Sequence, residues 1–492
     1  MKDLKQRAIR GGAAKFVSTG TSFVVRTGSL MIMARLLDPK DFGLVGMVTA
    51  VIGVFNVFRD FGLSTATVQR QNVTEKQVST LFWINMLVGA ILALITLAIA
   101  PLVARFYHEP KLVGVTAALA SGFVFNAAGV QHTASLERAM RFTALSAIDI
   151  ISLLTSTGIG IAMASYGFGY WALVASTVLA PLTYTICVWT AAAWVPGLPH
   201  RNVGVRSMMK FGGTITANGL IMYVSSNFEK VLLGRFWGVD AVGIYGRAYQ
   251  LINIPSDNLN TAAGGVAFAA LSRVKEEPSR LRNFFLKGYS LILSLTVPIT
   301  FTCAFFAEDM ILVLLGPKWH EAAAVFRLLA PTTLAFAILN PLGWLLNSLG
   351  LVGRGLRIAL VLGPLMILGY LIGLPYGPKG VALAYSTVMM LSVIPLIAWV
   401  VRGTPLSVAS LLTVVGRPLL SGLVAALVTL GLRWFYAPLL PVFPRLALSV
   451  GLLFALYLLI LFYVMGQKAF YLELLRGFRT PSIVEEEVLA SA

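Results

Sequence analysis

Charge is scarce in this chain. Only 12% of its 492 residues are Asp, Glu, Lys or Arg, about half the share of an ordinary soluble protein. That excludes a water-soluble enzyme of two or three domains, because a sphere of this size could not hide so much apolar surface. Acid is scarcer than base, with Asp+Glu 20 against Lys+Arg 38. Cysteine is nearly missing. Cys187 and Cys303 both sit in apolar runs, so a disulfide scaffold and a thiolate metal site fall away and both read as small core residues. The histidines His108, His132, His200 and His320 lie far apart, and no metal site is expected of them. Gly-x-x-x-x-Gly-Lys-[Ser/Thr], His-Glu-x-x-His, Cys-x-x-Cys and Gly-x-Ser-x-Gly are all missing. The chain therefore carries no phosphate loop for ATP and no catalytic constellation, and no cofactor is implied.

What is present is apolar length. Hydrophobic residues make up 58% and the mean hydropathy is +0.83. With roughly 20 residues per crossing, the runs give spans near 13–34, 43–66, 78–104, 112–135, 143–165, 169–194, 211–234, 242–263, 286–307, 322–346, 356–375, 380–401, 413–436 and 445–466. The fold class expected is an all-α polytopic membrane protein of about 14 transmembrane helices. Its longest connections, 195–210 and 264–285, hold no soluble domain. The net charge of +18 would point to nucleic acid in a soluble chain; here the distribution of the bases says otherwise. Nine fall in loops on one side (Arg35, Lys40, Arg105, Lys111, Arg235, Lys318, Lys379, Arg433 and Arg445), and 24 fall in loops on the side of the N-terminus. By the positive-inside rule both termini are cytoplasmic. The basic start lacks a small-residue cleavage site and reads as a retained segment entering the first span.

A weak repeat runs through the chain. Arg35, Gly43 and Gly46 recur as Arg235, Gly243 and Gly246, at a constant offset of 200 and where an odd-numbered span ends and the next begins. The organisation expected is an N-lobe over 1–205, a C-lobe over 206–402, a helix pair over 403–470 and a tail over 471–492. Repeats of one direction are related by an axis along the membrane normal, with sites between the lobes.

With bases at span ends counted to the loops, nine ionisable residues are read as lying inside spans: Arg26, Arg59, Lys230, Arg247, Arg327, Asp60, Asp149, Glu229 and Asp257. Each costs about 2.5–3.5 kcal/mol at a helix centre. Facing lipid together they would cost on the order of 20–30 kcal/mol, more than a domain's net stability of about 5–15 kcal/mol. They must face one another or a watery cavity. Helical spacing agrees: Ser18, Ser22, Arg26 and Ser29 share a face, as do Asn56, Asp60 and Ser64, then Asn218, Ser225 and Glu229, then Arg247, Gln250, Asn253, Asp257 and Asn260. Arg26, Arg59, Lys230 and Arg247 form a cationic staircase suited to a diphosphate, since guanidinium pairs bidentately with phosphate oxygens. Asp60, Asp149, Glu229 and Asp257 are candidates for a coupling or cavity role. Against this stands a plainer reading, in which adjacent pairs such as Arg59–Asp60 and Glu229–Lys230 lock helices, and Arg247 and Arg327 snorkel. Tyr245 and Tyr249 read as packing before sugar stacking.

Four segments carry a resemblance: Ala34-Arg-Leu-Leu-Asp-Pro-Lys-Asp-Phe-Gly43, Phe58-Arg-Asp-Phe-Gly-Leu-Ser-Thr-Ala-Thr-Val-Gln69, Gly243-Ile-Tyr-Gly-Arg-Ala-Tyr-Gln-Leu251 and Leu314-Leu-Gly-Pro-Lys-Trp319. Over about residues 1–400 the chain resembles the polysaccharide transporter (Wzx-type) flippases of the multidrug/oligosaccharidyl-lipid/polysaccharide exporter superfamily. The resemblance implies two six-helix lobes and alternating access that carries an undecaprenyl-diphosphate-linked sugar repeat across the inner membrane, for exopolysaccharide, capsule or O-antigen assembly. It implies arginines of the first, second and eighth helices on the diphosphate, where Arg26, Arg59 and Arg247 stand. Partners would be the lipid-linked oligosaccharide, the bilayer, a polymerase with export machinery, and H+ or Na+ as coupling ion. The alternatives are a drug/cation antiporter of the same superfamily, which needs a net acidic cavity, and a membrane polymerase, which needs a large catalytic loop.

Overall fold

A computed structural model describes the backbone of residues 2–58, 67, 74–200, 206–468 and 471. Side chains are described for all of these except 2–17, 206–219, 221–222, 259, 261–262, 266, 269 and 352. Arg59 and Asp60 lie outside the described residues, as do Ser64 and the side chain of Asn218.

Among the described residues the chain is helical, without a strand. Physics leaves little choice, because an apolar run in lipid must satisfy every backbone N–H and C=O within itself. The helices are α1 (Lys2–Leu36), α2 (Pro39–Phe58), α3 (Glu75–Tyr107), α4 (Leu112–Arg138), α5 (Phe142–Ser165), α6 (Tyr170–Ala192), α7 (Arg206–Arg273), α8 (Pro278–Phe305), α9 (Ala307–Leu314), α10 (His320–Ser348), α11 (Val352–Gly373), α12 (Gly377–Val401), α13 (Val408–Tyr436) and α14 (Val442–Leu459). Local chemistry sets their ends. Pro39 opens α2, where its missing N–H is no loss. Thr74 and Gln77 form a reciprocal capping box at the start of α3.

Ten stretches of the described residues are long and apolar enough to cross a membrane. The chain is a multi-pass membrane protein. Fourteen crossings are not reached by that measure. Gly353–Val401 counts as one stretch of 49 residues and holds two of the expected spans. The helices α1 and α7, which carry Arg26 and then Glu229, Lys230, Arg247 and Asp257, are not among the ten. The structure also departs from the sequence expectation in α7. Spans at 211–234 and 242–263 are joined without a loop, and the only non-helical backbone inside α7 is Gly238, at φ 81° and ψ −168°. Glycine reaches this region without a Cβ clash, so one residue suffices to break the helix.

The chain divides into two compact units. The first comprises Met1–Ala248, Leu314–Val325 and Leu356–Tyr385. Within it α4 and α6 are tied by donors that reach across to backbone oxygens: Thr185 Oγ1 to Phe125 O (2.7 Å) and Trp189 Nε1 to Ala128 O (2.8 Å). Ser152 Oγ likewise donates from α5 to Ala180 O of α6 (2.7 Å). Lipid tails give helices no hydrophobic reason to associate, so small residues and interhelical hydrogen bonds of this kind matter. The second unit comprises Tyr249–Val313, Phe326–Gly355 and Ser386–Ala492. Its centre is α8 packed against α13 and α14. Tyr457 donates to Ser294 O (2.9 Å). Asp309 of α9 accepts from Arg433 (2.8 Å) and from Arg445 (2.6 and 3.1 Å), which holds the last two helices to α9. The two units interleave along the chain.

Candidate functional site

The expected repeat has a direct structural counterpart inside the first unit, where the start of α2 meets α7 just after Gly238. A Cβ on Gly43 would lie 2.8 Å from the carbonyl carbon of Val239 and closer to its oxygen. A Cβ on Gly243 would lie 2.8 Å from the carbonyl carbon of Pro39, again closer to the oxygen. The contact is reciprocal: adding 200 to each number of one half gives the other. Only glycine allows two helix starts to approach this closely. Lys40 and Asp240, equivalent by the same offset, pair across it at 3.7 Å, both exposed.

Flanking groups close the ring. Lys318 pairs with Asp38 at 2.8 Å. Arg235 Nη1 donates to His108 Nδ1 at 3.0 Å. Trp319, fully buried, donates from Nε1 to Ala34 O (2.8 Å) and meets the ring of Phe42 edge-on at 5.3 Å. Over the other side of Phe42 lies Arg247, its guanidinium carbon 4.3 Å from the ring centroid. A partly desolvated guanidinium on an aromatic face gains about 0.5–2 kcal/mol.

Rather more than two turns before Gly238, α7 carries Glu229 and Lys230. Glu229 is 1% exposed, and neither carboxylate oxygen has a hydrogen-bond partner outside its own residue. Lys230 Nζ donates to Asn227 Oδ1 (2.8 Å). Tyr223, on the same helix, donates to Thr49 O of α2 (2.9 Å). Glu229 is buried and Lys230 half-buried beside it, and the neighbouring ammonium offsets part of the carboxylate's desolvation.

The remaining expected residues disperse. Arg26 is exposed on α1, while Ser18 of the same expected stripe is buried and lies 3.4 Å from Ser146 O of α5. Asp149 is half-buried on α5 and interacts electrostatically with Tyr184. Asp257 belongs to the second unit and is exposed. There Ser256 and Asn260 of α7 line a small cleft with Thr296, Asn340 and Trp344. Arg327 pairs with Glu308 at 3.0 Å at an exposed position, the bland outcome. Tyr245 is fully buried and packs. Among the described residues no group of His, Cys, Asp and Glu could hold a metal.

The family model described as "Polysaccharide biosynthesis protein" matches residues 32–324, and all four segments that carried the resemblance lie inside it. The chain belongs to this family. Proteins similar to it include the teichuronic acid biosynthesis protein TuaB of Bacillus subtilis, 27% identical over 71% of this chain and 73% of that protein. The lipopolysaccharide biosynthesis protein WzxC of Escherichia coli is 24% identical over 80% of each. The succinoglycan biosynthesis transport protein ExoT of Rhizobium meliloti is 24% identical over 68% and 67%. In fold, this family member is similar to the lipid II flippase MurJ in an inward closed conformation, with a TM-score of 0.75 and 12% identity over 94% of this chain and all of that one. An inward-facing multidrug MATE transporter of the MOP superfamily follows with a TM-score of 0.60.

Sequence reasoning missed two aromatic members of the site. Phe42 and Trp319 stand in the quoted segments, yet nothing in their spacing shows that one ring would lie under Arg247 and the other beside it. The repeat register was the usable signal, since it already brought 35–46 and 235–246 to equivalent places.

Proposed function

We propose that this family member is a flippase that moves undecaprenyl-diphosphate-linked oligosaccharide repeat units across the bacterial inner membrane for exopolysaccharide, capsule or O-antigen assembly. The observation that carries the reading is the buried patch of α7. A chain of a polysaccharide biosynthesis family keeps Lys230 and Arg247 inside a membrane-protein unit, and Arg247 is held there on an aromatic face, a contact that a phosphate oxygen can displace. The relatives TuaB, WzxC and ExoT, named for teichuronic acid, lipopolysaccharide and succinoglycan biosynthesis, support the polymer class, and the fold shared with a lipid II flippase supports a lipid-linked cargo.

In this mechanism the diphosphate docks on Arg26 and Arg59 while the lipid tail stays in the bilayer and the sugars enter the cavity. The lobes 1–205 and 206–402 then rock, and the head group passes to Lys230 and Arg247. Glu229, Asp60, Asp149 and Asp257 are the acids available to a coupling ion, H+ or Na+. Both termini are cytoplasmic, and polymerase and export machinery receive the product. The test is the double variant Arg26→Ala/Arg59→Ala. Polymer export should stop while the protein remains in the membrane, and lipid-linked repeat units should accumulate on the cytoplasmic leaflet. Normal export by a well-expressed double variant would discard the staircase.

A further inference from the structure

The chain from α10 to α14 is short of acid. Between Glu321 and Glu473 it has nine bases and no Asp or Glu, so a base there finds a counter-charge only outside that stretch. Two of these bases, Arg433 at the end of α13 and Arg445 near the start of α14, converge on buried Asp309 of α9. One carboxylate cannot neutralise two guanidiniums. The neighbouring acid, Glu308, is engaged by Arg327 at 3.0 Å and so brings no relief. The cluster keeps one positive charge in a partly desolvated place, which is costly unless an anion joins it.

The two arginines are not equally committed. Arg445 directs Nε and Nη2 to Asp309 and Nη1 to Ala437 O. Arg433 gives Nη2 alone to Asp309 (2.8 Å) and lies over the ring of buried Phe306, 5.3 Å from its centroid. Its Nε and Nη1 donate to no group among the described residues, and its side chain is 20% exposed, which leaves them open to a ligand from outside. Around the turn between α13 and α14 stand Trp434, Phe435, Leu439 and Phe443, 88%, 77%, 78% and 68% exposed. In a membrane protein, exposed rings at the end of a spanning helix mark the level of the lipid head groups. A guanidinium with open donors at that level meets phosphate oxygens, and its charge-assisted hydrogen bonds to them are about twice as strong as neutral ones.

We propose that Arg433, with Arg445 beside it, binds the phosphate of an anionic phospholipid of the adjoining leaflet, whose glycerol and acyl chains lie along Trp434 and Phe435. The lipid is the second anion that the two arginines need, and it completes the attachment of α13 and α14 to α9. A head group with net negative charge, such as phosphatidylglycerol, is preferred, because the ammonium of phosphatidylcholine would meet the excess positive charge of the cluster. The inference does not rest on the flippase reading: it concerns the lipid in which the protein sits, not its cargo.

The experiment melts the full chain, purified in detergent, in mixed micelles with added lipid and follows intrinsic tryptophan fluorescence. At saturation, phosphatidylglycerol should raise the midpoint about 5–10 °C above that in an equal amount of phosphatidylcholine. Arg433→Gln should cut this difference to less than half. Arg433→Lys, which keeps the charge without the fork, should fall between the two. Trp434→Ala alters an exposed side chain and should require several-fold more phosphatidylglycerol for the same shift. Arg280→Gln removes an exposed base of α8 paired with Glu277 and should leave the difference unchanged, which controls for general attraction of anionic lipid to a basic protein. Equal midpoints in the two lipids, a full difference retained by Arg433→Gln, or a difference lost in Arg280→Gln would overturn the site. An unchanged lipid requirement in Trp434→Ala would overturn the seat of the chains. An equal rise produced by millimolar inorganic phosphate in phosphatidylcholine would make this a free-anion site and overturn the lipid. Should Arg433→Gln fail to fold, the Arg433→Lys and Trp434→Ala arms decide alone.

Discussion

Replacing Asp309 by Asn probes how the last two helices are joined to the rest of the second unit. The Asp309 side chain is 2% exposed, and it accepts three hydrogen bonds from two guanidiniums, Arg433 and Arg445, which are 20% and 22% exposed. Asparagine keeps the shape and one acceptor oxygen but removes the charge, which leaves two half-buried cations facing each other. Breaking a fully buried pair costs about 3–5 kcal/mol. The partial exposure of both arginines lets water screen part of this, so about 2–4 kcal/mol is expected. A structural unit of about 200 residues shifts its midpoint by roughly 2–4 °C per kcal/mol, so a fall of about 5–15 °C follows. The assay is thermal denaturation of the detergent-purified protein, followed by intrinsic tryptophan fluorescence. The triple variant Asp309→Leu/Arg433→Met/Arg445→Met separates charge from packing: an apolar set of similar volume should recover most of the loss. An Asp309→Asn midpoint within 1 °C of the parent would refute the reasoning, and so would a triple variant less stable than the single one.

Three further outcomes follow from the same contacts. Trp319→Phe deletes the donor to Ala34 O and shrinks a fully buried ring system beside Phe42, so stability measured as above should fall by about 2–3 kcal/mol. Gly422→Ala places a Cβ 2.6 Å from Val297 Cγ1 and 2.7 Å from the ring of Phe301, and overpacking of α13 on α8 should cost about 1–3 kcal/mol in the same melt. Arg327→Ala breaks only the exposed pair with Glu308 and should change the midpoint by less than about 0.5 kcal/mol in equivalent stability.

Much of the fold was legible because lipid simplifies it. A run such as that of α3, with one proline and no charge between Lys76 and Arg105, has one structural option in a bilayer. Of the three identities in the expected repeat, Gly43 and Gly243 each meet the backbone of the other segment. What could not be read was whatever depends on which neighbour comes opposite. Ser18 lay on a proposed polar stripe, yet it faces Ser146 O, a partner 128 positions away. Arg327 was as conspicuous in sequence as Arg247, but Glu308 meets the first and Phe42 the second. Asp309 escaped notice because it stands at the edge of an apolar run, and its two arginines come from helices more than a hundred residues on. Burial of Glu229 without an outside partner is likewise a property of the packed chain, since sequence shows only that a base follows it.

The one-residue joint at Gly238 has a practical result for anyone mapping which side of the membrane each segment occupies. Topology is commonly traced by splicing reporters or epitopes between crossings, and the chain here offers no spare length to receive one. Trp237 is bonded to Leu374 O at 2.7 Å and lies against Gly377, so a graft at this corner would wedge apart the parts it was meant to report on. The turn at Arg402–Gly403, exposed and followed by Thr404 and Pro405, is the better place to insert a tag.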